Sequence, residues 1–194
     1  VAAAALLAAL GAATGTATEL FASPLNVHPT MRTYFSTHER DQLFGAELDA
    51  YSRRWTGACF AHPAEVEQEM EKAVRWALAS AREAGGTTPM LTTLLLPDSS
   101  SDAPTYTRWL AYPEVHEIAY FPKNGPSALK NEPADGWRLS PGPGRSYSDG
   151  CRLVAICNAA GRQVLEGLYT NAQWRVLPVM LAGSLAAATP QLPW

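Results

Sequence analysis

The sequence predicts an α/β protein with one mostly parallel, doubly wound sheet that ends in an antiparallel hairpin. Short apolar runs alternate with segments of helical periodicity, which is the pattern of strands connected by helices. The most regular helical pattern directly follows a short apolar run at Trp55–Ala61. Near the C-terminus, the runs Arg152–Cys157 and Val164–Tyr169 flank the turn-like segment Asn158–Gly161 and predict the antiparallel hairpin.

Length and composition fit a single domain over residues 1–194. Apolar residues make up 47% of the chain, which is enough for a substantial core. Charged residues amount to 17%, against about a quarter in a typical soluble domain. This low value favours a surface that is partly covered by a protein partner or by a missing N-terminal domain. The net charge of −3 argues against a strongly basic nucleic-acid-binding protein.

The long helix is predicted from about Pro63, a favourable first helical position, to Gly85-Gly86. Its apolar residues recur at spacings of three and four and form one stripe from Val66 to Leu78. Composition and breakers predict the other elements. The other predicted helices are Val1–Ala13, Ala46–Arg53, Thr105–Tyr112 and Asn171–Ala188. The other predicted strands are Thr16–Ser23, Met90–Leu96 and Val115–Phe121, followed by a long loop over Pro122–Asp149.

The apolar segment Val1–Ala13 is too short to span a membrane and lacks the cationic start of a signal peptide, so no membrane association is expected. The chain begins with valine and is interpreted as part of a longer chain or complex. The three cysteines have no close-spaced partner, which predicts buried free thiols and an intracellular, reducing compartment.

Two local groups of residues could be either a ligand-binding site or ordinary buried and solvent-facing side chains. Cys59 and His62, with His28 or His38, could be zinc ligands, but only one pair is closely spaced. We therefore predict no metal, with Cys59 buried and His62 facing solvent. A basic group could contact phosphate if the loop brought its members together, although a solvated face is favoured. Its members are Arg32, Arg40, Arg53 and Arg54.

The junction Gly57–Glu65 is the first place to look for a functional site. A strand ends there and the long helix begins, and ligands of open α/β sheets bind outside the carboxyl ends of the strands. His62 and Pro63 are therefore the candidate catalytic positions.

Several segments together resemble one protein family. Glu19–Asn26 (ELFASPLN) resembles the E-x-FASPLN segment of the phosphorylated-CTD-interacting-factor family, which are cap-specific adenosine methyltransferases acting on messenger RNA. Asp41–Gly45 (DQLFG) is similar to that family's D-x-x-FG element. Gly57–Glu65 falls where the family has a small-residue strand running into Asn-Pro-Pro-Phe. The resemblance covers about residues 16–166, and the later segments follow in the same order: Leu91–Pro97, Tyr112–Phe121 and Arg152–Asn158.

The resemblance implies a Rossmann-like, methyltransferase-type sheet and S-adenosylmethionine as cofactor. It implies cofactor contacts from Ser23, Pro24 and Asn26, although the same residues are suited to a simple turn. The first strand, which carries the glycine-rich cofactor turn in such enzymes, is expected to precede Val1–Ala13 and to lie outside this chain. A nuclear location also follows from the resemblance, with an organelle as the alternative.

The catalytic tetrad departs from the family's pattern. In Asn-Pro-Pro-Phe, the amide and a backbone carbonyl accept hydrogen bonds from the adenine amine, and the phenylalanine stacks on the base. This chain has His62-Pro63-Ala64-Glu65 instead. A neutral histidine can accept one hydrogen bond but lacks the amide's geometry. Ala64 removes a rigid proline, and Glu65 replaces the stacking ring with a charge.

Three functions follow as hypotheses. The favoured one is a methyltransferase-like pseudoenzyme that is a structural or binding subunit of a larger assembly, without a bound cofactor. The alternative is an active S-adenosylmethionine-dependent RNA adenosine methyltransferase whose cofactor loop lies upstream of this chain. The first implies a protein partner or a missing N-terminal domain, and RNA is the substrate in the second. A third hypothesis is a domain that no longer catalyses and only recognises RNA or a protein partner.

Overall fold

The structure is a computed structural model that describes residues 17–27, 31, 33–64, 66–97, 105–121 and 151–170. The predicted helices Val1–Ala13 and Asn171–Ala188 and the predicted loop Pro122–Asp149 lie outside the described residues. No helix within the described ranges has the length and apolar character needed to cross a membrane.

The described residues form a seven-stranded mixed sheet, which confirms the α/β class. The strand order is β3-β2-β1-β4-β5-β7-β6. The first five strands run parallel, whereas β7 is antiparallel to both β5 and β6. The strands are β1 Ala17–Glu19, β2 Thr33–Ser36, β3 Glu47–Leu48, β4 Gly57–Ala61, β5 Met90–Pro97, β6 Val115–Phe121 and β7 Cys151–Cys157.

The position of β1 in the interior of the sheet corrects one prediction. The chain was expected to lack the first strand, but Ala17–Glu19 lies between β2 and β4 with a parallel neighbour on each side. From this strand the chain continues to β2 and β3 on one side, and it then crosses to β4 and β5 on the other. The strand at which the order reverses therefore belongs to this chain, although its three residues give only a weak sequence signal.

Helix α1 (Glu67–Glu83) packs its apolar stripe on one face of the sheet, as predicted for Met70 to Leu78. Val66, the first residue of the predicted stripe, precedes the helix and is 52% exposed. The helix ends before Gly85, whose φ of 68° is in the left-handed region that favours glycine. Its start differs from the prediction, because Val66 is extended and donates its N–H to the Ala64 carbonyl at 2.7 Å. Pro63 therefore precedes the helix by four positions instead of opening it.

The predicted strand Val164–Tyr169 is wrong, since Ala159–Thr170 forms helix α2. Asn158 starts this helix, because its backbone carbonyl accepts from Arg162 N–H at 2.8 Å and its side-chain Oδ1 accepts from Gly161 N–H at 2.8 Å. The antiparallel hairpin itself is present, but strands β6 and β7 form it. A Cβ at Gly161 would overlap the Met90 carbonyl, which explains glycine in this helix.

The predicted helix Ala46–Arg53 is also wrong. A 3-10 helix, η1, covers Glu39–Phe44 instead, and strand β3 begins at Glu47. Gly45 ends η1 with φ 89°, so the turn comes earlier than the sequence pattern indicated. The prediction over Thr105–Tyr112 is confirmed as helical in 3-10 form, since η2 spans Thr105–Ala111.

The opposite face of the sheet carries a titratable group that lies near α2. Val115 belongs to the α1-side core, so strand alternation places His116 on the other face. There it lies near Arg162 and Glu166, which form an ion pair at 2.7 Å. Burial, with a smaller contribution from Arg162, lowers the pKa of His116.

This pKa shift predicts a loss of stability on acidification. A histidine whose folded pKa lies below its unfolded value of about 6.5 stabilises the fold fully above that pH and loses the contribution as pH falls below it. We expect the urea midpoint to fall more between pH 7.5 and 5.5 for the wild type than for His116→Gln. Circular dichroism of both proteins at each pH measures this difference. Equal changes in the two proteins would contradict the prediction.

Candidate functional site

The candidate site lies where the carboxyl ends of β1 and β4 meet. These strands pair in parallel with Glu19 opposite Phe60, and Leu20 N–H donates to the Phe60 carbonyl at 2.9 Å. The chain continues from β1 to β2 toward one edge of the sheet, and from β4 to β5 toward the other edge. Such a switch point leaves a crevice outside the strand ends, where open α/β sheets bind ligands. Both predicted groups of site residues, after β1 and after β4, follow these two strands.

The residues after β1 form a closed turn. Asn26 Oδ1 accepts from Ser23 N–H at 2.6 Å and from the Ser23 hydroxyl at 3.2 Å. The Ser23 hydroxyl also accepts from Leu25 N–H at 3.3 Å, and the Ser23 carbonyl accepts from the N–H groups of Asn26 and Val27. Ser23 and Pro24 are half-buried, and Asn26 is exposed. The turn is thus built, but the Ser23 hydroxyl is already engaged within it.

The residues after β4 form an extended connection into α1. His62 is half-buried, Pro63 is buried and Ala64 is exposed, whereas Glu65 lies outside the described residues. From the sequence, His62 was predicted to face solvent, but its side chain is partly covered. Because α1 begins only at Glu67, His62 and Pro63 stand on a non-helical segment beside the β1 turn.

Acidic side chains at the ends of β2 and β3 belong to the same edge, and sequence reasoning did not single them out as site residues. Ser36 ends β2 and donates its hydroxyl to Asp41 Oδ2 at 2.5 Å. Asp49 follows β3, and its N–H donates to the Ser36 carbonyl at 3.1 Å. Asp49 has φ 53°, the one positive value among the described non-glycine residues. No sequence signal marked Asp49, because the two-residue strand before it was predicted as part of a helix.

A group of aromatic rings, which we call the aromatic layer, packs against Phe21, which precedes the β1 turn. The Phe21 ring lies 5.5 Å from Tyr51 and 6.2 Å from Trp55, measured between centroids. Tyr51 also contacts Trp76 edge to face at 5.7 Å. Burial, reinforced by the charges of Glu69 and Asp49, raises the pKa of Tyr51. The phenol therefore stays protonated at neutral pH and contributes packing rather than charge.

The zinc alternative does not fit the position of Cys59. Its side chain is 2% exposed in the α1-side core, and burial raises its pKa to about 12. A metal ligand needs the thiolate, which this environment disfavours strongly. Among the described residues, no group of three or more potential ligands could hold a metal ion. His28 lies outside the described residues.

Two of the described members of the basic group are paired with carboxylates of the same chain. Arg53 pairs with Glu47 at 2.7 Å, and Arg54 pairs with Glu83 at 2.6 Å and stacks over a tryptophan ring. Arg40 is exposed on η1, and Arg32 lies outside the described residues. The arginines next to β4 are thus neutralised by carboxylates of the same chain, which leaves little field for phosphate at the candidate site.

No protein-family model matches the chain, and the search of curated proteins found no match.

Proposed function

We propose that this chain is a methyltransferase-like domain, related to the mRNA cap adenosine methyltransferases, that serves as a non-catalytic binding or structural subunit of a larger assembly. The observation that carries the proposal is the position of His62, Pro63 and Ala64, the described residues of the altered tetrad. They follow β4, which pairs with the strand that leads into the FASPLN segment, and a methyltransferase would hold its target amine at this place.

The sheet supports the methyltransferase type. An antiparallel strand inserted between β5 and β6 at the end of a parallel sheet fits that arrangement. The FASPLN segment follows the central strand, at the switch point where a nucleoside cofactor would bind. The FASPLN segment and the Gly57–Glu65 segment thus belong to two strands, β1 and β4, that are neighbours in the sheet.

The chemistry of the tetrad argues against methyl transfer. The lone pair of an adenine amine is delocalised into the ring, so the amine must be positioned and polarised by aligned acceptors. Losing one such aligned group costs about 10²–10³ in rate. His62 replaces the amide acceptor, and Glu65 removes base stacking worth about 1–3 kcal/mol. These losses together favour a retained scaffold without activity.

One observation favours the active enzyme as a second candidate. The central strand lies within the chain, so the cofactor turn need not be supplied from upstream. Ser36, Asp41 and Asp49 also place polar groups at the ends of the neighbouring strands, where ribose hydroxyls are bound in related sheets. In this case His62 accepts the hydrogen bond or proton of the substrate amine.

Transfer of labelled methyl groups from S-adenosylmethionine to capped, adenosine-initiated RNA tests the proposal. We expect no transfer above a blank without protein. The variant His62→Asn/Ala64→Pro/Glu65→Phe restores the family tetrad, and transfer by this variant alone would support a methyltransferase scaffold that has lost its tetrad. Transfer by the wild type would overturn the non-catalytic proposal.

Calorimetry with S-adenosylmethionine and its demethylated product separates the two candidates further. The proposed pseudoenzyme gives no binding heat. The active enzyme binds both compounds, and Ser23→Ala/Asn26→Ala abolishes this binding. The exposed Gln163→Ala on α2 is the matched control that leaves it unchanged.

A further inference from the structure

Three well-exposed apolar side chains belong to the two segments that follow β1 and β2 at the carboxyl edge of the sheet. Within the described ranges, five large apolar side chains are markedly exposed, and these three have the largest values: Leu43 at 85%, Leu25 at 84% and Phe44 at 69%. Leu43 and Phe44 belong to η1, and Leu25 is the tip of the turn after β1. With the charged residues Glu39 and Arg40 of η1, they form what we call the edge patch.

The edge patch rests on a fixed base. Tyr34 donates its hydroxyl to the Phe44 carbonyl at 2.9 Å, and Ala46 N–H donates to the Asp41 carbonyl at 3.2 Å. The Asp41 side chain is in turn held by the Ser36 hydroxyl. Because these bonds fix both ends of η1, Leu43 and Phe44 are presented to solvent by an ordered element.

The turn that carries Leu25 packs against Tyr34, the residue that also holds the end of η1. Ala22, Tyr34 and Ala46 form a small buried cluster, and Val27 packs against it. The tip of the β1 turn and the end of η1 are therefore anchored side by side. Two segments that are far apart in sequence thus present exposed apolar side chains from one shared buried cluster, and exposed apolar patches mark interaction sites.

Arg40 distinguishes this surface from the rest of the described chain. Its seven fellow arginines in the described ranges each form an ion pair with a glutamate: Arg53, Arg54, Arg75, Arg82, Arg108, Arg152 and Arg162. Arg40 has no such partner there, and neither has Glu39 beside it. An arginine next to exposed phenylalanine and leucine is the composition of a protein interface rather than of a solvated face.

The charges on η1 favour a protein over RNA, and a second copy over an unrelated protein. Glu39, Arg40 and Asp41 sum to −1, so the patch offers no basic field to phosphate. Adjacent Glu39 and Arg40 are self-complementary, since in a two-fold contact Glu39 of each copy can face Arg40 of the other. The apolar pair Leu43 and Phe44 is self-complementary by the same symmetry.

We propose that the edge patch is a self-association surface through which two copies of this chain form an isologous dimer. Leu43 and Phe44 pack against their equivalents at the centre, and Arg40 of each copy pairs with Glu39 of the other. The small size of the patch fits a reversible dimer of the weak class. The inference does not depend on the proposed function.

Sedimentation equilibrium of the 194-residue chain over a wide concentration range tests this proposal. We expect a reversible monomer–dimer equilibrium. Leu43→Ser/Phe44→Ser should weaken it by at least about tenfold, since exposed side chains at the centre of an interface dominate its affinity. Val66→Ser, at another exposed apolar side chain, is the control and should leave the equilibrium unchanged. A monomer at every concentration, or an unchanged dimer in the double variant, would overturn the proposal.

Charge reversal tests the symmetry. Arg40→Glu alone and Glu39→Lys alone each place like charges across the two-fold axis and should weaken the dimer. An equimolar mixture of the two variants restores opposite charges and should associate more strongly than either variant alone. If the mixture gains nothing over its components, the isologous pairing is wrong. Both side chains are exposed, so circular dichroism should show folded proteins throughout.

Discussion

Asn158→Ala is expected to lower the free energy of unfolding by about 3 kcal/mol or more, because one buried side chain satisfies four backbone groups. Asn158 is 7% exposed. Its Oδ1 accepts from Met90 N–H at 3.1 Å and from Gly161 N–H at 2.8 Å. Its Nδ2 donates to the carbonyls of Gly85 at 2.6 Å and Thr88 at 2.7 Å. Alanine leaves buried donors and acceptors without partners.

Urea denaturation followed by circular dichroism measures this effect, and hydrogen exchange locates it. The amides of Met90 and Gly161 should lose protection first, since they donate directly to Asn158. Gln163→Ala, on the exposed side of α2, should change stability by less than about 0.5 kcal/mol. A loss below about 1 kcal/mol in Asn158→Ala would mean that water replaces the side chain.

The same bonds explain why the C-terminal element was mispredicted. Asn158-Ala-Ala-Gly161 reads as a hairpin turn when only neighbouring residues are considered. The bonds that start the helix are local, from the N–H groups of Gly161 and Arg162 to Asn158, and asparagine is a favoured residue at helix starts. The bonds to residues 68 to 73 positions earlier in the chain fix the same side chain against the rest of the fold. The local pattern contained the first signal, which was interpreted as a turn, but not the second.

Elements that contain a clear pattern of apolar residues were predicted well. The stripe of α1 and the apolar runs of β4, β5 and β6 each identify a buried face without reference to the rest of the chain. Strand β1 lies within the predicted strand Thr16–Ser23, whereas the two residues of β3 are too few for a period to be visible. The place of β1 between β2 and β4 became clear only from the strand pairing.

The candidate site shows the same division. The strand-to-helix junction predicted the segment after β4 as a site, whereas the segment after β1 was expected only from the family resemblance. The sequence did not identify Asp49, whose position follows from the pairing of β3 with β2. It also missed that Phe21, inside the FASPLN segment, packs on Tyr51 and Trp55. The segment thus has a structural role beside any ancestral role in cofactor binding.

Trp55→Ala is expected to cost about 3–5 kcal/mol of stability, the range for removing a fully buried tryptophan. Trp55 is 2% exposed, and its Nε1–H donates to the Ala50 carbonyl at 2.6 Å. Its ring contacts both Phe21 and Tyr51. Alanine leaves a cavity in this layer and an acceptor without its donor, whereas the bond from Trp55 N–H to the Ser80 hydroxyl remains.

The matched control is Trp76→Ala, which removes the same side chain from a half-buried position on α1. Arg54 covers that ring from outside at 4.2 Å, so solvent and side-chain movement can fill the gap. We expect a loss at least about 1 kcal/mol smaller than for Trp55→Ala, measured by urea denaturation. Equal losses would show that both rings belong to one rigid layer.

Trp55→Ala should also affect the candidate site, because Phe21 loses one of its two ring contacts. The β1 turn that begins two residues later then rests on Tyr51 alone among these rings. We expect faster hydrogen exchange at Ala22, whose N–H donates to the Phe35 carbonyl at 2.9 Å, and at Val27. Trp76→Ala should leave both amides protected, since the Trp76 ring touches Tyr51 and not Phe21. Unchanged exchange in Trp55→Ala would mean that the turn is held by its own hydrogen bonds, and the aromatic layer would then stabilise the core without positioning the site.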